Sequence, residues 1–139
     1  MKIRIFILFV FLVAISCKTN QKINKVRQGY WVESYKLGED TYKSTGWYKN
    51  GNPVKKWKYL KNDTIYQKEK YKKSICKTIY YHKNGKIMQR GQSKTEVKDS
   101  LVHWFYFGEW FYYDEFGKLI QTKKYENGLE VEQIKPIIK

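Results

Sequence analysis

Proline, cysteine and histidine are all scarce in this 139-residue chain, with two of each. Two cysteines cannot build the multi-bridge framework that holds many small extracellular domains together. The histidines, His82 and His103, stand about twenty residues apart inside aromatic runs. Neither has a cysteine or carboxylate at ligand spacing, which argues against a metal centre. No stretch repeats apolar residues at a helical period. The patterns Gly-x-Ser-x-Gly, Gly-x-Gly-x-x-Gly and the phosphate-binding P-loop are missing as well. Asp114 and Glu115 are adjacent carboxylates, but neighbours in a turn point apart and cannot flank a glycosidic bond. These shortages predict a protein that is not an enzyme and needs no cofactor or metal.

Acidic residues are the next shortage: 13 Asp and Glu stand against 28 Lys and Arg, for a formal net charge of +15. The imbalance is uneven. Residues 17–95 hold 20 basic and 5 acidic side chains, whereas residues 96–139 hold 6 and 8. Such a field favours polyanions: an anionic lipid surface, a charged glycan or an acidic protein. Arginine, the residue best suited to bidentate base and phosphate contacts, is rare here, which disfavours nucleic acid. The same lysines suit a second role as solubilising cover on strand faces and edges, where they block edge-to-edge aggregation.

Long apolar runs are confined to the start. Met1-Lys2-Ile3-Arg4 is a short positive segment, followed by the unbroken apolar run from Ile5 to Val13. That run is too short for a permanent span of about 30 Å of hydrocarbon and has the form of a signal-peptide core. Ala14-Ile15-Ser16-Cys17 then resembles the lipobox of bacterial lipoproteins, where the cysteine is acylated and becomes the new N-terminus. The resemblance implies a signal peptide over 1–16, lipidation at Cys17 and a lipid anchor in the bacterial cell envelope, at the outer membrane. A polar tether is expected over 17–28. Cys76 would then lack a disulfide partner, and its strand-like surroundings read as those of a small buried hydrophobe.

What the rest of the chain has in abundance is aromatic hairpins. Gly46-Trp47-Tyr48-Lys49-Asn50-Gly51 is followed by Tyr80-Tyr81-His82-Lys83-Asn84-Gly85 and then by Trp110-Phe111-Tyr112-Tyr113-Asp114-Glu115-Phe116-Gly117. Tyr125-Glu126-Asn127-Gly128 closes the series. A short aromatic hairpin cannot bury its own apolar face, but stacked neighbours can. Asn50-Gly51, Asn84-Gly85 and Asn127-Gly128 predict two-residue turns, because type I′ geometry needs positive φ at both central residues. Glu115-Phe116-Gly117 makes a turn with one residue more. The turn glycines are therefore Gly51, Gly85, Gly117 and Gly128. Gln92 to Ser100 reads as a polar loop or irregular turn. Val102 to Tyr113 reads as a strand pair broken at Gly108-Glu109 with little solvent on either side. The fold class is all-β: an elongated antiparallel meander of repeated hairpins over 29–132, with a tail over 133–139.

The stretch from Gly46 to Tyr59, and the better-formed Gly108-Glu109-Trp110-Phe111-Tyr112-Tyr113 copy, resemble the variant MORN repeat (membrane occupation and recognition nexus) of bacterial envelope proteins. At Lys55-Lys56-Trp57 the usual glycine is replaced. The resemblance implies a twisted repeat sheet with an aromatic spine, each Gly ahead of a Trp letting a ring lie against the neighbouring strand. It also implies an interaction module that binds a protein partner or a membrane surface, the second reading being an antitoxin- or immunity-like inhibitor that binds a toxin directly. Trp31, Trp47, Trp57, Trp104 and Trp110 are the aromatic positions at which a ligand could stack, though most are expected in the spine.

Overall fold

A computed structural model of the chain describes residues 18–99 and 101–135. The expected signal peptide, Cys17 and the end of the tail from Pro136 lie outside the described residues. The rest is a ten-stranded sheet: β1 (Gln21–Ile23), β2 (Val26–Leu37), β3 (Asp40–Lys49), β4 (Asn52–Lys61), β5 (Thr64–Lys72), β6 (Ile75–Tyr81), β7 (Ile87–Lys98), β8 (Leu101–Tyr113), β9 (Leu119–Glu126) and β10 (Leu129–Ile134). Spatial order follows chain order throughout and every pairing is antiparallel. The expected all-β meander of hairpins is the observed fold. At about 4.8 Å per strand the sheet runs about 43 Å across.

Asparagine opens four of the tight turns. Asn24-Lys25, Asn50-Gly51, Asn62-Asp63 and Asn127-Gly128 each hold positive φ at both positions, and in each the flanking residues pair directly. Asparagine tolerates this left-handed region better than other side chains with a Cβ. The first of these turns corrects the expected tether: β1 folds back on β2 within it, closed by Asn24 without the help of a glycine. Asn84-Gly85 also departs from expectation. Only Gly85 has positive φ there. The His82 N–H donates to Lys86 O and the Gly85 N–H to His82 O, at 2.8 and 2.9 Å. Asp114, Gly117 and Lys118 repeat that pattern at 3.0 Å. The second hairpin is therefore built like the third, with the longer loop.

Two further expectations change. Gln92 to Lys98 is not a loop but the outer half of β7, paired from Gln92↔Phe107 to Lys98↔Leu101. Its polar sequence hides the strand because β8 supplies the apolar side chains. Val102 to Tyr113 is one strand rather than two. A bulge at Gly108 (φ +67°) takes up the break, and Val102 and Trp104 are well exposed.

The dry face is an aromatic one. Trp57 and Trp110 are almost wholly buried, at 3% and 1% exposure, although only one layer of sheet is present. Each indole lies flat on a glycine of the preceding strand, Trp57 on Gly46 and Trp110 on Gly91, where a Cβ would collide with the ring. Each indole N–H donates to the carbonyl just after that glycine: Trp57 to Trp47 O at 3.2 Å, Trp110 to Gln92 O at 2.9 Å. At both places the register shifts, with three β4 or β8 residues facing the single glycine. The bulged residue two before the Trp has positive φ, Lys55 at +60° and Gly108 at +67°. So Lys55 occupies the backbone position that a glycine fills in the later copy. Trp31, also buried, donates to Gln28 O at 2.9 Å, with the Arg27 guanidinium 4.9 Å from its ring.

Candidate functional site

Lysines spaced two apart share one face of a strand. Lys56 and Lys58 do so in β4, Lys68, Lys70 and Lys72 in β5. The register then sets these sets side by side. Lys58 lies opposite Lys68, and Lys56 opposite Lys70. Lys70 in turn faces Lys77 of β6, and Lys68 faces Ile79, which pairs with Arg90 of β7. This face is the one opposite the buried Trp57 and Thr78. Like charges directly opposed across a sheet destabilise it by tenths of a kcal/mol up to about 1 kcal/mol each. None of Lys56, Lys58, Lys68, Lys70 and Lys77 is in an ion pair among the described residues, where the pairs formed involve Arg27, Lys61, Lys94, Lys123 and Lys124. Three shallow depressions run in line over this face and share residues. Lys56 and Lys70 border both the first and the second, Lys77 and Ile79 both the second and the third.

Rings on this face are capped by cations. The Lys55 ammonium sits 4.1 Å from the centre of the Trp47 ring, Lys68 4.9 Å from Tyr81, and the Arg90 guanidinium 5.2 Å from Phe111. Such contacts contribute about 0.5–1 kcal/mol each at exposed sites, and they leave these rings less open to a flat ligand. Glu109 is the nearby carboxylate, at the far end of the third depression.

The opposite face handles charge differently. Glu69 sits among aromatic rings and takes three hydrogen bonds: from the hydroxyls of Tyr59 (2.7 Å) and Tyr71 (2.8 Å) and from the Gln67 amide (2.8 Å). Burial and the adjacent carboxylate push both phenols well above their ordinary range. Burial likewise raises the Cys76 thiol, which suits the expected inert hydrophobe. Among the described residues no three His, Cys, Asp or Glu side chains gather to hold a metal. His82 instead places Nε2 3.0 Å from Tyr113 O, tying one hairpin loop to the next.

Of the five tryptophans considered for ligand contact, Trp31, Trp57 and Trp110 are buried by the spine and offer no surface. Trp47 and Trp104 are 39% and 60% exposed, on opposite faces of the sheet. Gly51, Gly85, Gly117 and Gly128 all sit in turns with positive φ, far from the lysine columns. The columns themselves are not visible in the sequence, although the Lys-x-Lys spacing signals a shared face. Their alignment across strands depends on register. No family model matches the chain, and no curated protein or solved structure matches it either.

Proposed function

We propose that the chain is a non-enzymatic binding module, held at the bacterial envelope by lipid on Cys17, whose lysine face lies against a polyanionic surface such as an anionic membrane. The observation that carries this reading is the stacking of uncompensated lysines in register on one face. Lysines that serve only solubility gain nothing from being opposed, and the repulsion they create is relieved only when counter-charge arrives. The resemblance of the hairpins to variant MORN repeats, and of Ala14 to Cys17 to a lipobox, supports the same placement.

Two measurements test it. The full-length chain is partitioned between neutral and anionic vesicles. An excess on the anionic ones, erased by raised salt and by Lys58→Glu with Lys70→Glu, is expected. Equal partitioning would refute a membrane as the surface this face meets. Separately, Cys17→Ala is expected to move the protein out of the membrane fraction in cells, and its full retention there would refute the anchor.

A further inference from the structure

The lysine columns do more than charge a plane; they wall a groove. One wall runs across the strands as Lys58, Lys68, Ile79, Arg90 and Phe111. The other runs as Lys56, Lys70, Lys77, Gln92 and Phe107. The walls stand two residues apart along β4 to β7, about 6.8 Å, while the β8 bulge sets Phe107 and Phe111 four residues apart. Between them lies the row Trp57, Glu69, Thr78 and Gly91. Its side chains leave by the opposite face, so the floor is backbone. The second and third depressions are floored by this row. The cations run from β4 to β7, about 14 Å; beyond them the walls are Phe107 and Phe111, and Glu109 borders the third depression.

From this we infer that the groove takes a single extended chain of an acidic polysaccharide, of the uronic-acid type, laid across the strands. The inference rests on the reading of the lysine face as a binding face. Charge sign selects a polyanion, and groove shape selects one chain rather than a plane. A bilayer surface touches the wall tops but cannot reach a backbone floor. Pitch then separates the linear candidates. Each strand from β4 to β7 offers at least one cation (Lys56 and Lys58, Lys68 and Lys70, Lys77, then Arg90) about every 4.8 Å, close to the advance per sugar of an extended glycan, so one carboxylate per sugar keeps step with the walls. An extended acidic peptide presents carboxylates to one side only about every 6.8 Å and falls out of register within two strands. Lysine ammonium groups, mobile point charges on flexible stems, suit carboxylates that lack a fixed bidentate geometry.

The test is calorimetric titration of the detergent-solubilised full-length chain with oligogalacturonides of increasing length, with polyglutamate as the peptide probe and anionic vesicles as the membrane probe. Affinity is expected to rise with oligogalacturonide length and level off at about four sugars, where the cations of β4 to β7 are matched. Lys70→Glu is expected to weaken it about tenfold, a change of 1.4 kcal/mol. Lys118→Glu, the same charge change outside the groove, is expected to alter it far less. Vesicle binding without oligogalacturonide binding would overturn the glycan inference and leave the basic-face reading standing. Silence with every anionic probe would overturn both. Polyglutamate binding as tightly as the glycan, or a glycan affinity unmoved by Lys70→Glu, would refute the groove register.

Discussion

Gly46→Ala is the substitution that probes the fold most sharply. A Cβ there would overlap Cδ2 and Cε2 of the Trp57 indole, which lies flat on the glycine. The far side of that contact is a rigid aromatic ring rather than a flexible chain end, so the ring itself must move. Trp57 is only 3% exposed, and lifting it off the sheet forfeits much of a large core side chain, for which truncation costs about 3–5 kcal/mol. Relaxation recovers part of this, and alanine is better than glycine in a strand by about 0.5–1 kcal/mol. A net loss of about 2–4 kcal/mol is therefore expected, a large share of the 5–15 kcal/mol typical of a domain. Urea denaturation followed by far-ultraviolet circular dichroism measures it without relying on the tryptophan removed in the companion variants. In a Trp57→Ala background the collision is gone, and Gly46→Ala should be neutral or slightly stabilising. The coupling in the double-mutant cycle should then approach the whole cost of the single change. Equal costs in the two backgrounds, or a single-mutant loss below about 1 kcal/mol, would refute the role given to this glycine. Gly91 and Trp110 provide an independent copy of the experiment.

The bulges before the two tryptophans should respond oppositely: Lys55→Gly removes a side chain from the left-handed region and should be neutral to about 1 kcal/mol stabilising, after loss of the contact with Trp47. Gly108→Ala imposes that strain and should cost about 1–2 kcal/mol in the same denaturation assay. Alkali should unfold the protein through its buried phenols. Tyr80 is pushed up from 10.0 to about 12 mainly by burial, so its contribution is intact below pH 10 and is lost as pH rises through 12, because the unfolded chain releases the proton first. A phenolate absorbance titration run beside circular dichroism should show ionisation and unfolding rising together above pH 10, and stability flat across that window would contradict the burial. Salt should act in the stabilising direction. Screening the opposed lysines should raise the melting temperature, and Lys70→Glu should raise it most at low ionic strength, whereas a melting temperature indifferent to both would mean the columns carry no strain.

Much of the architecture is legible in the chain because its signals are local. Alternation of aromatic residues and the scarcity of proline give strands, and Asn-Gly gives tight turns at Asn50 and Asn127. Where the local signal is weak, the reading fails. Asn24-Lys25 closes a hairpin without glycine, and Gln92 to Lys98 is a strand whose apolar cover belongs to β8. Asn84-Gly85 carries the same dipeptide as Asn50-Gly51 yet joins a longer loop, because the His82–Lys86 and Gly85–His82 backbone bonds set its geometry.

The candidate site divides in the same way. The sequence by itself determined an all-β chain of hairpins with a basic first two-thirds, and the Lys-x-Lys spacing determined that several lysines share a face, since both follow from the two-residue period of a strand. Only the tertiary structure decided which lysine faces which, and that Trp57 and Trp110 rest on glycines of another strand. Register is the reason: the bulges at Lys55 and Gly108 shift the pairing by two residues, so contacts across strands depend on where the backbone departs from regular extension, and no single strand contains that information.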